Sequence, residues 1–328
     1  MQPMFLKKEA AISSMNSYGK QQKPFFFMVD HLCNDIWIGN LAEAFRQGIL
    51  INFNGVSNYT VPAKTAKQIV LHQTAIPFAD YKKAFDTVRS SFKRGDTYLL
   101  NLTFSTPLQT DHSLEEIFHF AKARYRLLFP DRFVVFSPET FVQIRDGRIS
   151  TFPMKGTIDA SIKDAESRLL NNKKEMAEHA TIVDLLRNDM SRVATDVRVE
   201  RYRYVEKIVA GDKSLLQVSS QITGNLPAGY FEQLGNILFE MLPAGSVTGA
   251  PKEKTMEIIS KAESHERGFY TGVAGYFDGE TLDSCVLIRF IEKAGDAFFY
   301  KSGGGLTFQS IDIEEYNEMR SKIYVPTA

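Results

Sequence analysis

The amino-acid sequence predicts an α+β fold with antiparallel sheets. Strand-like runs and helical periodicities fall in separate blocks, and Asp-Gly or Gly-Asp dipeptides join successive strand runs as turns. Phe25-Phe26-Phe27-Met28-Val29 is one β-rich run and residues 97–104 are another. Residues 133–152 read as a hairpin: Phe133 to Ile144, a turn at Asp146-Gly147, then Arg148 to Phe152. The C-terminal third reads as a meander. Tyr270 to Phe277, Leu282 to Glu292 and Ala297 to Lys301 are its strands, with turns at Asp278-Gly279 and Gly295-Asp296. Helical periodicity is clearest at 174–193, at 251–263 after Pro251, and at 312–323. No repeat, low-complexity tract or linker divides the chain, so residues 1–328 read as one domain. Within it, residues 1–75 form a short part joining the sheets and 76–328 the core.

Lys and Arg number 39, as do Asp and Glu, so no overall field favours nucleic acid or an anionic membrane. An anionic substrate must therefore be held by local groups. Cys33 and Cys285 are the only cysteines and form neither a zinc pattern nor a disulfide framework. The N-terminal residues carry no long apolar run, and no stretch reaches the roughly 18 apolar residues of a membrane span. These features lead us to expect a cytoplasmic enzyme.

The helix at 174–193 has an acidic inner face. At about 100° per residue, Glu175, Glu178, Ile182, Leu185, Leu186 and Asp189 share one stripe, with Lys173, Thr181, Asp184 and Arg187 opposite. A buried carboxylate needs a cationic partner or a metal. The C-terminal helix repeats the pattern with Ile311, Glu315, Glu318, Met319 and Lys322 on one side. Two i,i+3 glutamate pairs suit an all-oxygen site for Mg²⁺; a helix rim paired with lysines is the alternative.

Two small-residue loops can hold anions. Residues 243–251 (PAGSVTGAP) lead into a helix N-terminus, where exposed N–H groups and the helix dipole favour a carboxylate or phosphate. Ser302-Gly303-Gly304-Gly305-Leu306 follows a strand and admits close approach to the backbone. A plain turn or a bulge accounts for either sequence equally well. Neither is a Walker motif, and no GxGxxG follows a strand, which disfavours nucleotides. Glu139 and Lys155 lie on or near the two arms of the 133–152 hairpin. They form either a salt bridge or, in a cleft, a general acid and a nucleophile.

Nine stretches, in order from about residue 95 onward, resemble the chorismate-utilising enzymes. They are GDTYLLNLTF, FSPETF, PMKGT, EMAEHATIVDLLRNDMSRV, VSSQITG, PAGSVTGAPKEKTMEII, ERGFYTGVAGYFDG, LIRF and SGGGLTFQSIDIEEYNEM. That family comprises the component I subunits of anthranilate and aminodeoxychorismate synthases, with isochorismate and salicylate synthases. The resemblance implies two packed antiparallel β-sheets flanked by helices, with the active site in a cleft. It implies Glu178 and Glu315 as principal Mg²⁺ ligands, supported by Glu175 and Glu318. It assigns Tyr270, Arg289, Lys322 and the backbone of Gly303 and Gly305 to the substrate carboxylates. The 243–251 loop adds Ser246, Thr248 and Gly249. Thr157 is similar to a threonine near the ring, and Glu139 matches the general acid at the C4 hydroxyl.

Lys155 points within the family to aminodeoxychorismate synthases. In those enzymes a lysine here is held to attack C2 of chorismate and expel the 4-hydroxyl, after which ammonia attacks C4. The amine must be neutral to attack, which burial near other cations would favour. Leu99 stands where isochorismate and salicylate synthases carry a water-activating lysine, so hydration is not expected. Gln217 replaces a histidine common in the family and can orient the ring but not shuttle a proton. The resemblance further implies a separate glutamine amidotransferase subunit as ammonia source and no tryptophan feedback. Anthranilate synthase component I and a non-catalytic chorismate-binding subunit are the competing expectations.

Overall fold

The structure is a computed structural model and describes residues 4–60, 69–210 and 213–326. Its framework is two nine-stranded sheets in which the paired strands run antiparallel. The first sheet runs in the order Met154–Asp159, Lys213–Asn225, Arg148–Thr151, Thr140–Arg145, Leu282–Val286, Val273–Phe277, Phe25–Val29, Ile36–Gly39. Thr195–Ala210 pairs along Lys213–Asn225 as a long ribbon. The second sheet runs Gly249–Ala250, Leu99–Gln109, Ala297–Leu306, Phe290–Ala294, Phe133–Ser137, Tyr125–Phe129, Leu50–Phe53, Val56–Ser57, and His72–Gln73 pairs along Leu99–Gln109.

The strand Phe25–Val29 shows why the sheets stack. Successive side chains point to opposite faces. Phe26 and Met28 join Phe53, Tyr125, Phe133 and Phe290 in the core between the sheets. Phe25, Phe27 and Val29 pack outward against Met15, Leu234 and Ile237 of the covering helices Lys8–Lys20 and Leu234–Met241. Both faces are buried, so this strand is apolar throughout rather than alternating. Helix Lys173–Ser191 lies on the same outer side through Val183, Leu186 and Met190. Helices Phe78–Arg94, Lys252–Ala262 and Asp312–Ser321 cover the second sheet around Leu100, Leu102 and Phe104. The described helices include none long and apolar enough to cross a membrane.

The α+β class, the three helices and the Asp146-Gly147 turn, with positive φ at both positions, follow the sequence reading. Two long strands do not. The run Phe133 to Ile144 is cut at Pro138-Glu139, with Phe133–Ser137 in the second sheet and Thr140–Arg145 in the first. The run Leu282 to Glu292 is cut at Leu287–Arg289, with Leu282–Val286 in the first sheet and Phe290–Ala294 in the second. Arg289 takes φ 55°, which breaks the ladder locally. The two crossovers bond to each other: Val286 N–H donates to the Glu139 carbonyl, and Phe136 N–H to the Arg289 carbonyl, both at 3.1 Å.

The triple-glycine segment is also not a loop. It continues the strand Ala297–Leu306, with Gly303 opposite Thr103 and Gly305 opposite Asn101. A Cβ on Gly303 would come within 2.4 Å of the Leu102 carbonyl oxygen, so glycine serves close backbone approach there. Conversely, the strand expected from Tyr270 begins at Val273. Residues 270–272 instead form a turn, with Thr271 at φ 62°.

Candidate active site

The crossovers bring Glu139 and Arg289 side by side at the seam between the sheets. Ser246, on the short helix Gly245–Thr248, donates its hydroxyl to Glu139 Oε1 at 2.6 Å. That helix is itself anchored. Lys252 Nζ bridges Asp189 Oδ1 at 2.8 Å and the Met241 carbonyl at 2.8 Å, and the Gly245 N–H donates to the Asp189 carboxylate. Burial raises the Glu139 carboxyl above its usual range, against the opposing pull of Ser246, Arg289 and Lys322. A carboxyl shifted toward its protonated form in this way is suited to act as a general acid. Tyr270 is buried at the same place, its ring 5.8 Å from that of Phe290, and burial pushes its hydroxyl up.

Arg289 has no acidic ion-pair partner among the described residues, and its Nε is buried without a hydrogen bond. Its neighbours are the phenols of Tyr300, Tyr324 and Tyr270. A guanidinium so placed is a natural receptor for a carboxylate brought from outside.

A second wall of the site, linked to the seam through Lys322, is acidic. Helix Lys173–Ser191 supplies Glu175 and Glu178, and helix Asp312–Ser321 supplies Glu315 and Glu318. Glu178 and Glu315 are buried, at 8% and 5% exposure, as the stripe on each helix requires. Each of three lysines is paired with one of these acids. Lys155 Nζ lies 2.7 Å from Glu178 Oε2, Lys174 Nζ 3.2 Å from Glu315 Oε1, and Lys322 Nζ 2.9 Å from Glu318 Oε1. Lys322 also donates to the Gly303 carbonyl at 2.8 Å. Gly304 faces this group: a Cβ there would sit 3.6 Å from Lys322 Nζ and 3.8 Å from Glu315 Oε2.

The charges here tune one another. Burial alone would pull Lys155 down, but Glu178, Glu318 and Glu175 outweigh it and hold the ammonium form. The neutral form that attack requires is therefore not the one favoured at rest, because the ion-pair partner of Lys155 is a carboxylate. Burial opposes ionisation of Glu318, yet Lys322, Lys155 and Lys174 lower it to about 2. Burial lowers Lys322, assisted by Lys155 and Arg289 and opposed by Glu318. Glu175 is raised by burial, with Lys155 pulling the other way.

The four glutamates line one wall, but among the described residues no three His, Cys, Asp or Glu side chains are grouped closely enough to hold an ion as they stand. The lysine pairs described above engage three of the four. Two carboxylate oxygens, Glu178 Oε1 and Glu175 Oε2, are buried with no hydrogen-bond partner. An oxygen-only donor set with spare buried lone pairs fits a hard divalent cation in kind.

Other residues expected at the site lie around it. Gln217 and Thr157 face each other in adjacent strands. Thr248 is fully buried and its hydroxyl donates to the Ala244 carbonyl, while Gly249 pairs with Leu100 and leaves no room for a Cβ beside the Leu99 carbonyl. Both thus serve the packing of the loop, whereas Ser246 points to Glu139. Leu99 packs with Ile182, Leu185 and Ala250. Sequence reasoning missed Lys174, whose i,i+4 spacing to Glu178 was the available signal, and Gly304, the middle glycine. It also missed Tyr300 and Tyr324, for which the sequence carries no signal.

A family model described as chorismate binding enzyme matches residues 23–328. The chain belongs to this family. A protein of Haemophilus influenzae described as an uncharacterized PabA-like protein is 46% identical over 316 residues, with 96% of each chain covered. The aminodeoxychorismate synthase component 1 of Bacillus subtilis is 31% identical over 285 residues, covering 80% of this chain and 59% of that protein. Anthranilate synthase component I from Streptococcus pneumoniae matches in structure with a TM-score of 0.65 at 26% identity, over 78% of this chain and 58% of that one. This member of the family is thus a chorismate-utilising enzyme with the two-sheet fold of its relatives.

Proposed function

We propose that this enzyme is an aminodeoxychorismate synthase component I, converting chorismate and ammonia to 4-amino-4-deoxychorismate and water. The observation that carries the reading is Lys155, a primary amine inside the cleft and in contact with the acidic wall. The substrate carboxylates are gripped by Arg289, Tyr270, Lys322 and the backbone of Gly303 and Gly305. Gln217 and Thr157 border the ring.

After losing a proton to solvent, Lys155 Nζ attacks C2 and forms a C–N bond. The two conjugated ring double bonds shift and the C4–O bond breaks, with Glu139 giving its proton so that the hydroxyl leaves as water. Ammonia then attacks C4, both double bonds return, the C2–N bond to Lys155 breaks to free the amine, and the new C4 ammonium returns a proton to Glu139. Mg²⁺ would be held by Glu178 and Glu315, with Glu175 and Glu318 in support. When bound it would supply positive charge to a substrate carboxylate. Ammonia comes from a separate glutamine amidotransferase subunit, and the pathway is cytoplasmic synthesis of 4-aminobenzoate for folate. The B. subtilis relative and the lysine of PMKGT support this assignment.

Incubation with chorismate, Mg²⁺ and ammonium, followed by product mass analysis, tests the reading. Aminodeoxychorismate is expected, with 4-aminobenzoate appearing only when a lyase is added. Anthranilate formed without a lyase would overturn it in favour of an anthranilate synthase. Chorismate binding without turnover, even with a competent glutaminase, would indicate a binding subunit.

A further inference from the structure

The segment after helix Asp312–Ser321 is tied down on both sides of Tyr324. Ile323 and Val325 pack into the cluster around Leu108, Phe136 and Tyr300. Tyr300 donates its hydroxyl to the Tyr324 carbonyl at 2.9 Å, and Lys122 N–H donates to the Pro326 carbonyl at 2.9 Å. The Tyr324 backbone is thus fixed from behind while the residue as a whole stays 43% exposed. Its ring lies over Arg289, with 5.4 Å between the guanidinium carbon and the ring centroid, and its hydroxyl is within hydrogen-bonding reach of that guanidinium. Lys322, two residues earlier, donates to the Gly303 carbonyl. One short segment therefore touches both cations assigned to the substrate carboxylates.

We propose that Tyr324 is a positioning residue that orients Arg289 for a carboxylate of the substrate, acting through the guanidinium and not on the ring. The proposal rests on the reading above, in which Arg289 grips chorismate. An arginine side chain has many rotamers, and with no ion pair to hold it this freedom must be restricted on binding. A cation–π contact and a phenol oxygen together restrict the plane and the rotation of the fork. The carboxylate then meets a donor pair already in place, which improves binding by lowering the ordering cost.

The test is a double-mutant cycle on chorismate affinity and steady-state kinetics. Tyr324→Phe keeps the stack and removes the hydroxyl; its Kd and KM should rise about tenfold, typical of losing a hydrogen bond to a charged group. Tyr324→Leu, which removes the stack as well, should weaken binding roughly another threefold. The value of kcat at saturation and the thermal midpoint should stay close to wild type in Tyr324→Phe. In an Arg289→Lys background, which lacks the planar fork, Tyr324→Phe should have no further effect. The same loss in both backgrounds, or wild-type affinity in Tyr324→Phe, overturns the positioning role while leaving the chorismate reading intact. A wild-type enzyme that does not bind chorismate overturns both.

Discussion

The two walls of the site treat buried charge differently. On the acidic wall, each of three lysines is paired with a glutamate within 3.2 Å, so the wall is close to neutral as it stands. On the seam wall, Arg289 makes no ion pair among the described residues, and burial shifts its neighbour Glu139 toward the neutral form. A buried cation without a counter-ion costs stability until a ligand supplies the charge. Under the proposed function the seam wall receives an anion, while the acidic wall exchanges its lysine partners for a divalent ion. Substrate and metal recognition would then come from opposite treatments of the same problem.

Breaking either wall should show the difference. The largest effect is expected for Lys155→Ala, which removes the proposed nucleophile: amination should fall by about 10⁴-fold or more while chorismate still binds. Retained amination would remove the covalent role. Next is Glu139→Gln, expected to lower kcat about 10²- to 10⁴-fold as a lost general acid. The sign with pH follows from its raised pKa: the acid form is present at low pH and lost as pH rises through the folded value. Wild-type kcat should therefore carry a descending limb above the usual carboxylate range, and Glu139→Gln should lack it.

A chelator should abolish turnover reversibly, with Mg²⁺ restoring it. Glu178→Gln should need more Mg²⁺ for half-maximal rate by roughly tenfold or more, whereas Arg289→Lys should raise KM for chorismate without moving that requirement. An equal shift of both parameters in both variants would erase the distinction between the walls.

The smallest effect is on stability and lies outside the cleft. Burial lowers His31 to about 3 and His265 to about 4, assisted in both by Arg267. Both groups are neutral when folded and gain a proton on unfolding below about pH 6.5, so stability falls as pH drops through that value. By pH 5 the loss should be about 2 kcal/mol for each, read as a lower urea midpoint than at pH 7.5. An unchanged midpoint would mean that these histidines are hydrated in solution.

What the sequence showed and what it hid divide along the same line. The acidic wall was legible because a helix repeats every 3.6 residues, so Glu175, Glu178, Glu315 and Glu318 could be assigned to inward faces without coordinates. The seam was not. Leu287-Ile288-Arg289 carries no proline, glycine or turn residue, and both sheets require apolar strands, so nothing marks the point where the chain changes sheets. Pro138 was the only hint at the companion crossover. Glu139 and Arg289 were recognised from the family motifs, but their hydrogen-bonded backbones, which set them side by side, arise from pairing across about 150 residues of chain. The ring of tyrosines around Arg289 is likewise tertiary.

The proposed bond between Lys155 and the substrate ring is tested most directly by rapid quenching of the enzyme with chorismate and Mg²⁺ in the absence of ammonia. Peptide mass analysis should find chorismate minus one water on the peptide containing Lys155, discharged when ammonium is added. An unmodified Lys155 peptide under conditions where added ammonium still yields aminodeoxychorismate would contradict it.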